Sequence, residues 1–113
     1  MIKWLDIELQ LATLQILLDA ELKRGEDVEK IDVSHMHEVH REGYLKYRRE
    51  IAANDGLVTA KIIDELLNVG EFELERAIAF LTDKQFIEVF DRGLLISPEG
   101  KRFIIDELNK PRD

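Results

Sequence analysis

The stretch Leu57-Val58-Thr59-Ala60-Lys61-Ile62-Ile63-Asp64-Glu65-Leu66-Leu67-Asn68-Val69-Gly70 decides how this chain is read. Thr59 stands where a hydroxyl can accept from a free backbone N–H at a helix start, and Ile62, Ile63, Leu66 and Leu67 then recur at inward positions of a short helix. Asn68-Val69-Gly70 turns the chain. A second helix is expected over 72–84, with Leu74, Ala77, Ile78 and Leu81 spaced to bury one side. Glu71, Glu73 and Glu75 fall in its first turn, where carboxylates suit the helix dipole. Two short helices across a three-residue turn make a helix-turn-helix unit.

Beyond this unit the apolar period changes from helical to strand-like. Phe86-Ile87-Glu88-Val89-Phe90 and Leu94-Leu95-Ile96 flank Asp91-Arg92-Gly93, which predicts a β-hairpin with a three-residue turn. Ser97 and Pro98 then supply a cap and a first helical residue for a last helix, from which Phe103, Ile104 and Leu108 return to the core. Upstream, Ser34 is placed to cap a helix running to about residue 53 and ending at Asn54-Asp55-Gly56. Its inward residues are expected to be Met36, Val39, Tyr44, Tyr47 and Ile51. Gly43 inside that helix costs about 1 kcal/mol relative to Ala, which a close helix crossing at the missing side chain would explain.

Residues 2–24 contain neither Pro nor Gly. At 100° per residue Trp4, Ile7, Leu11, Leu14, Leu18 and Leu22 fall on one stripe, and Leu5, Leu9, Ala12, Ile16 and Ala20 on another nearly opposite, with polar strips between. A terminal helix of a small domain normally buries one face, so the second stripe predicts a homodimer joined through Leu5, Leu9, Ala12 and Ile16. The alternative is a central helix with both stripes against its own domain. The chain thus divides into an N-terminal amphipathic dimerisation helix over 1–24 and a domain over 34–110, separated by an acidic stretch beginning Arg24-Gly25-Glu26-Asp27.

With 113 residues, 45% hydrophobic and 35% charged, the chain suits one compact core and contains no uninterrupted apolar run for a membrane span. No cysteine is present, which excludes a disulfide framework and thiolate chemistry and suits a reducing cytosol. The start lacks the pattern of a secretory signal, so a cytoplasmic location is expected. A formal charge of −8 opposes binding driven by phosphate neutralisation. No glycine-rich phosphate loop or nucleophile triad stands out, so the chain is read as acting by binding, without catalysis or cofactor. All three histidines lie within residues 35–40. His37 and His40 share a helix face and are the weak metal candidates, but they lack the spacing of a metalloprotease helix.

The order helix, helix, turn, helix, hairpin, helix resembles the winged-helix domain. Gly56-Leu57-Val58-Thr59-Ala60 resembles that family's lead into its second helix. Ile78 and Leu81 followed by Thr82-Asp83-Lys84-Gln85-Phe86-Ile87 resemble the end of its third helix and the start of its wing. Ser97-Pro98-Glu99-Gly100-Lys101 resembles its exit from the wing. The resemblance covers residues 41–108 and implies a mainly α fold with a small β-hairpin. It also implies a small dimeric DNA-associated transcription regulator that presents two third helices to half-sites about one helical turn apart on duplex DNA. Two departures stand out. Gln85 replaces a common glycine, at a cost of order 1 kcal/mol if its backbone is left-handed. The wing is so short that Arg92 alone could reach a minor groove.

The third helix turns Phe72, Arg76, Ala79, Phe80 and Asp83 away from its core side, edged by Glu73 and Glu75. Over residues 57–85 the basic residues are Lys61, Arg76 and Lys84, against Asp64, Glu65, Glu71, Glu73, Glu75 and Asp83, a surface that repels phosphate. Phe72 and Phe80 are either core residues of a slightly rotated helix or an apolar patch for a partner. If duplex DNA is the partner, Arg41, Arg48, Arg49 and Arg76 are the expected contacts. If a protein is the partner, the domain is an acidic adaptor or anti-regulator, and Phe72 with Glu73 carries the interaction.

Overall fold

The computed structural model describes residues 5–24 and 28–110. Its helices are α1 (Asp6–Leu22), α2 (Glu38–Ala53), α3 (Ala60–Leu67), α4 (Glu71–Asp83) and α5 (Pro98–Leu108), with a 3₁₀ turn at Val28–Lys30. Strands β1 (Ile87–Phe90) and β2 (Gly93–Ile96) form an antiparallel hairpin. The fold is therefore mainly α with a small β-hairpin, as the change of apolar period predicts. Trp4 of the first stripe and Gly25-Glu26-Asp27 of the acidic stretch lie outside the described residues.

Helix α1 is central and packs against α3, α4, α5 and β2. Its buried residues are Leu9, Thr13, Leu14, Leu17, Leu18 and Ala20. Thr13 and Leu17 belong to neither stripe read from the sequence; they fill the arc between them. The middle turns of the two stripes are thus the flanks of one wide buried face, and the strip between them points into the core, while Ile7 and Leu22 of the first stripe are exposed. Thr13 tolerates full burial because its hydroxyl donates to the Leu9 carbonyl at 2.8 Å, one turn back. Of the residues expected at a dimer contact, Leu9 is 3% exposed in the core of its own domain, Ala12 and Ile16 are half-buried, and Leu5 is exposed.

Helix α2 begins at Glu38, four residues after the expected Ser34 cap, and the local hydrogen bonds explain why. The Ser34 N–H donates to Asp32 Oδ1 at 2.9 Å, which closes a turn there, and hydrogen bonding from the Ser34 side chain first and its N–H second holds the Asp32 carboxyl below its usual range. Arg41 reinforces the loop, Nε donating to the Met36 carbonyl at 2.8 Å and Nη2 to that of Ser34 at 3.1 Å. His37 becomes the cap, with Nδ1 accepting from the Val39 N–H at 3.2 Å. Val39 then points outward at 74% exposure, while Tyr47 and Ile51 enter the core as expected. Gly43 has open space where a side chain would stand, so no helix among the described residues crosses there.

Thr59 caps α3 as expected, Oγ1 accepting from the Ile62 N–H at 3.2 Å. Asn68, with φ 51°, ends that helix left-handed, and the Gly70 N–H donates to Asp64 Oδ1 at 2.8 Å, which ties the turn to α3. Leu66 and, at the far end of α5, Leu108 are exposed instead of inward.

The hairpin register pairs Ile87 with Ile96 and Phe90 with Gly93, so the connection is the two residues Asp91-Arg92 and Gly93 is already strand. Val58 pairs with Leu94 through hydrogen bonds of 3.0 and 2.8 Å in the two directions, fastening β2 to the lead into α3. Gln85 is left-handed at φ 64°, the strained backbone that the family resemblance suggests. Ser97 closes the same corner, Oγ donating to the Gln85 carbonyl at 2.6 Å and accepting from the Gly100 N–H at 3.0 Å. Any Cβ on Gly100 would land on the Phe86 carbonyl oxygen.

Candidate functional site

Helix α4 buries Leu74, Ala77 and Leu81 and keeps Ile78 half-buried, the side expected from its spacing. That placement sets its outward residues by rotation alone, and Phe72, Arg76, Ala79, Phe80 and Asp83 are all exposed. Phe72 is 81% exposed and Phe80 43%, so the rotated-helix reading of these two rings does not hold. The outward face has four carboxylates, Glu71, Glu73, Glu75 and Asp83, against one guanidinium, Arg76. Arg76 is itself drawn sideways, with Nη2 3.5 Å from Asp6 of α1 and Nη1 3.9 Å from Glu73. Both pairs are solvent-exposed, worth at most about 1 kcal/mol, but they offset the Arg76 charge.

Open grooves flank this ridge. Toward α1, Leu9, Gln10, Ala77, Ala79 and Phe80 help line a groove of about 280 Å³, with Glu73 and Arg76 at its rim. Toward α3, Leu74 and Ile78 help line one of about 310 Å³, with Asp64, Glu71 and Glu75 around it. Lys84, at the end of α4, lies 5.6 Å from the centre of the Phe80 ring, a cation–π distance.

The cations expected to meet phosphate are differently placed. Arg48 is 5% exposed: Nη1 donates to the Tyr44 hydroxyl at 3.1 Å and Nη2 to the Lys23 carbonyl at 3.3 Å. Its guanidinium also stands 5.9 Å from the centre of the Tyr44 ring, so it braces α2 against the end of α1. Arg41 holds the loop before α2, Arg49 is exposed, and Arg92 is exposed with Nη1 3.6 Å from Asp55. Sequence spacing counts Arg48 among the helix's basic residues. The missed signal is Tyr44 one turn earlier, a ring and a hydroxyl for the same guanidinium.

Around Arg48, Lys23 Nζ lies 2.8 Å from Asp19, and that hydrogen bond holds its pKa above the ordinary lysine value. Tyr47 donates to the Ile16 carbonyl at 3.4 Å, and its phenol is pushed upward, chiefly by burial and then by the Asp19 charge. These residues make a polar joint between α1 and α2, part-buried and satisfied within the chain.

The histidines gather no metal shell. The rings of His37 and His40 are 6.2 Å apart, but His37 Nδ1 is committed to the helix cap, and among the described residues no group of three or more His, Cys, Asp or Glu side chains is arranged to hold a metal ion. Among the described residues, no helix is long and apolar enough to cross a membrane. Comparison of the chain with protein-family models, with curated proteins and with solved structures found no match.

Proposed function

We propose that this chain is a winged-helix domain that works as a protein-interaction module, with α4 as the recognised face. The observation that carries the reading is Phe72, a large aromatic side chain 81% exposed in the first turn of a well-packed helix. A ring left in water forgoes about 1.5–3 kcal/mol of burial, which a partner recovers on binding. Carboxylates around an exposed ring make an anchor with a polar rim, the usual anatomy of a compact protein interface. The winged-helix assignment rests on the element order, on left-handed Gln85 at the start of the hairpin, and on Ser97 and Gly100 closing its exit.

The other reading of the same fold, a dimeric DNA-associated regulator of transcription, has less support. Its third helix is acidic, Arg48 is enclosed, Arg41 is occupied by two carbonyls, and Arg76 faces Asp6 and Glu73. Affinity for pooled duplex DNA at about 50 mM salt separates the two, because weak cationic contacts are strengthened by the longer screening length. The expected result is no binding, together with a protein partner retained by the unmodified chain and lost by Phe72→Ala with its fold intact. Duplex binding that fades steeply as salt rises, and weakens in Arg49→Ala or Arg76→Ala, would overturn the adaptor reading.

A further inference from the structure

We infer that the groove between α3 and α4 receives a lysine or arginine side chain of the protein partner, so that the segment recognised is basic with an apolar residue beside the cation. The inference rests on the reading of α4 as the recognised face and adds the chemistry of what it takes. The apolar lining of the groove is supplied by Leu74 and Ile78 of α4 with Ala60 at the start of α3. Its rim carries Asp64, Glu71 and Glu75. A long cationic side chain matches both parts, laying its methylene stem along the apolar lining and its charged head at the rim.

The groove carries charge of both signs. Lys61 also lines the groove, and the free N–H groups at the α4 N-terminus amount to about half a positive charge. One Asp64 oxygen is already occupied by the Gly70 N–H at 2.8 Å. Glu71 and Glu75 remain, one helical turn apart on the same side, and neither forms an ion pair with a cation among the described residues. Like charges at that spacing repel each other, so a cation between them relieves repulsion as well as gaining attraction. An acidic ligand would meet the same pair unfavourably. Phe72 sits next to Glu71 in the chain and 81% exposed, which places an apolar contact beside the cation site.

The test is a titration of the isotope-labelled full chain, followed by backbone amide shifts, with a blocked peptide alternating arginine and leucine. The same peptide with glutamate for arginine serves as its counterpart. Shifts should localise to Ala60, Lys61, Glu71, Leu74, Glu75 and Ile78 and be absent with the glutamate peptide. Glu71→Lys and Glu75→Lys should each weaken binding about tenfold or more. Asp106→Lys, which changes net charge equally at an exposed position on α5, should weaken it less than about twofold. Ala60→Leu, which fills the groove and removes no charge, should also block the peptide.

Shifts spread over the whole acidic surface, or equal losses in Glu75→Lys and Asp106→Lys, would overturn the inference by reducing it to net charge. Retention of the cellular partner by Glu71→Lys/Glu75→Lys, when Phe72→Ala loses it, would sink the groove and leave the adaptor reading standing. Steep salt-dependent binding of duplex DNA by the unmodified chain would instead remove the adaptor reading itself.

Discussion

Helices α1 and α4 both carry more apolar residues than one narrow face can hold, and the fold treats the surplus in opposite ways. In α1 the excess is absorbed over the middle turns: α3, α4, α5 and β2 pack against it, and a wide arc from Leu9 and Ala20 through Thr13 and Leu17 to Leu14 and Leu18 is buried, while Ile7 and Leu22 near its two ends are exposed. In α4 the inward side closes over Leu74, Ala77 and Leu81, while Phe72 and Phe80 remain in solvent. The number of apolar residues on a helix therefore does not decide how many stay in solvent. Its depth in the fold does, because a central helix meets neighbours on several sides and a peripheral one on a single side.

The strongest attack on this comparison is a lesion in α1. Leu14→Ala should cost about 2–5 kcal/mol in urea unfolding, since Leu14 is fully enclosed. Leu9→Glu should leave the domain unfolded, because an unpaired carboxylate would be buried at a site only 3% exposed. A Leu9→Glu chain that stays folded and merely changes its mass in light scattering would return α1 to the role of a dimer contact.

A smaller effect distinguishes the two kinds of cation on α2. Arg48→Ala should lower stability by about 1–3 kcal/mol, through loss of its hydrogen bonds and its packing on Tyr44. Arg49→Ala, one residue on and exposed, should stay within about 0.5 kcal/mol. The same joint limits stability at high pH. Tyr47 and Lys23 both have raised pKa values in the folded chain, so each contributes stability that is complete below its unfolded value and lost as pH rises through the folded one. Stability should accordingly fall from about pH 10 upward, and Tyr47→Phe should lessen that fall.

Backbone changes have smaller expected effects. Gly43→Ala should stabilise by up to about 1 kcal/mol, since the helix position is open to a methyl group. Gln85→Gly should also stabilise, by about 1 kcal/mol, by relieving its left-handed backbone. A loss of stability in Gly43→Ala would show that α2 meets something at that position after all. The smallest expected effect belongs to α4: Phe72→Ala should move the unfolding midpoint by no more than about 0.5 kcal/mol in equivalent stability while removing partner binding. A large destabilisation there would mean that the ring packs within the chain, and the contrast with α1 would disappear.

Local features were legible because they depend on neighbours in the chain. Thr59 and Ser97 cap where their position ahead of apolar runs places them, and the strand alternation after Gln85 becomes a hairpin; that Gln85 is left-handed was open in the sequence and suggested only by the family resemblance. The Ser34 cap failed on a local competition: Asp32 two residues earlier takes the Ser34 N–H, and Arg41 holds the loop open from the other side. Within the candidate site, the outward face of α4 could be read from its period, since burying Leu74, Ala77 and Leu81 obliges Phe72, Arg76 and Asp83 to face away. Whether Phe72 and Phe80 were covered could not.

The sequence by itself determined the type and order of the elements, their caps and turns, and the acidic character of the α4 face, because these follow from residue spacing, backbone preference and charge count. Tertiary structure decided which helix lies at the centre, which arginine is enclosed and which phenylalanine is left in water. Those outcomes depend on residues distant in the chain: Arg48 is enclosed because Lys23 comes to it, and Leu9 because α1 packs against α4. A helical period gives the direction in which a side chain points, and only the packed neighbours determine what stands there.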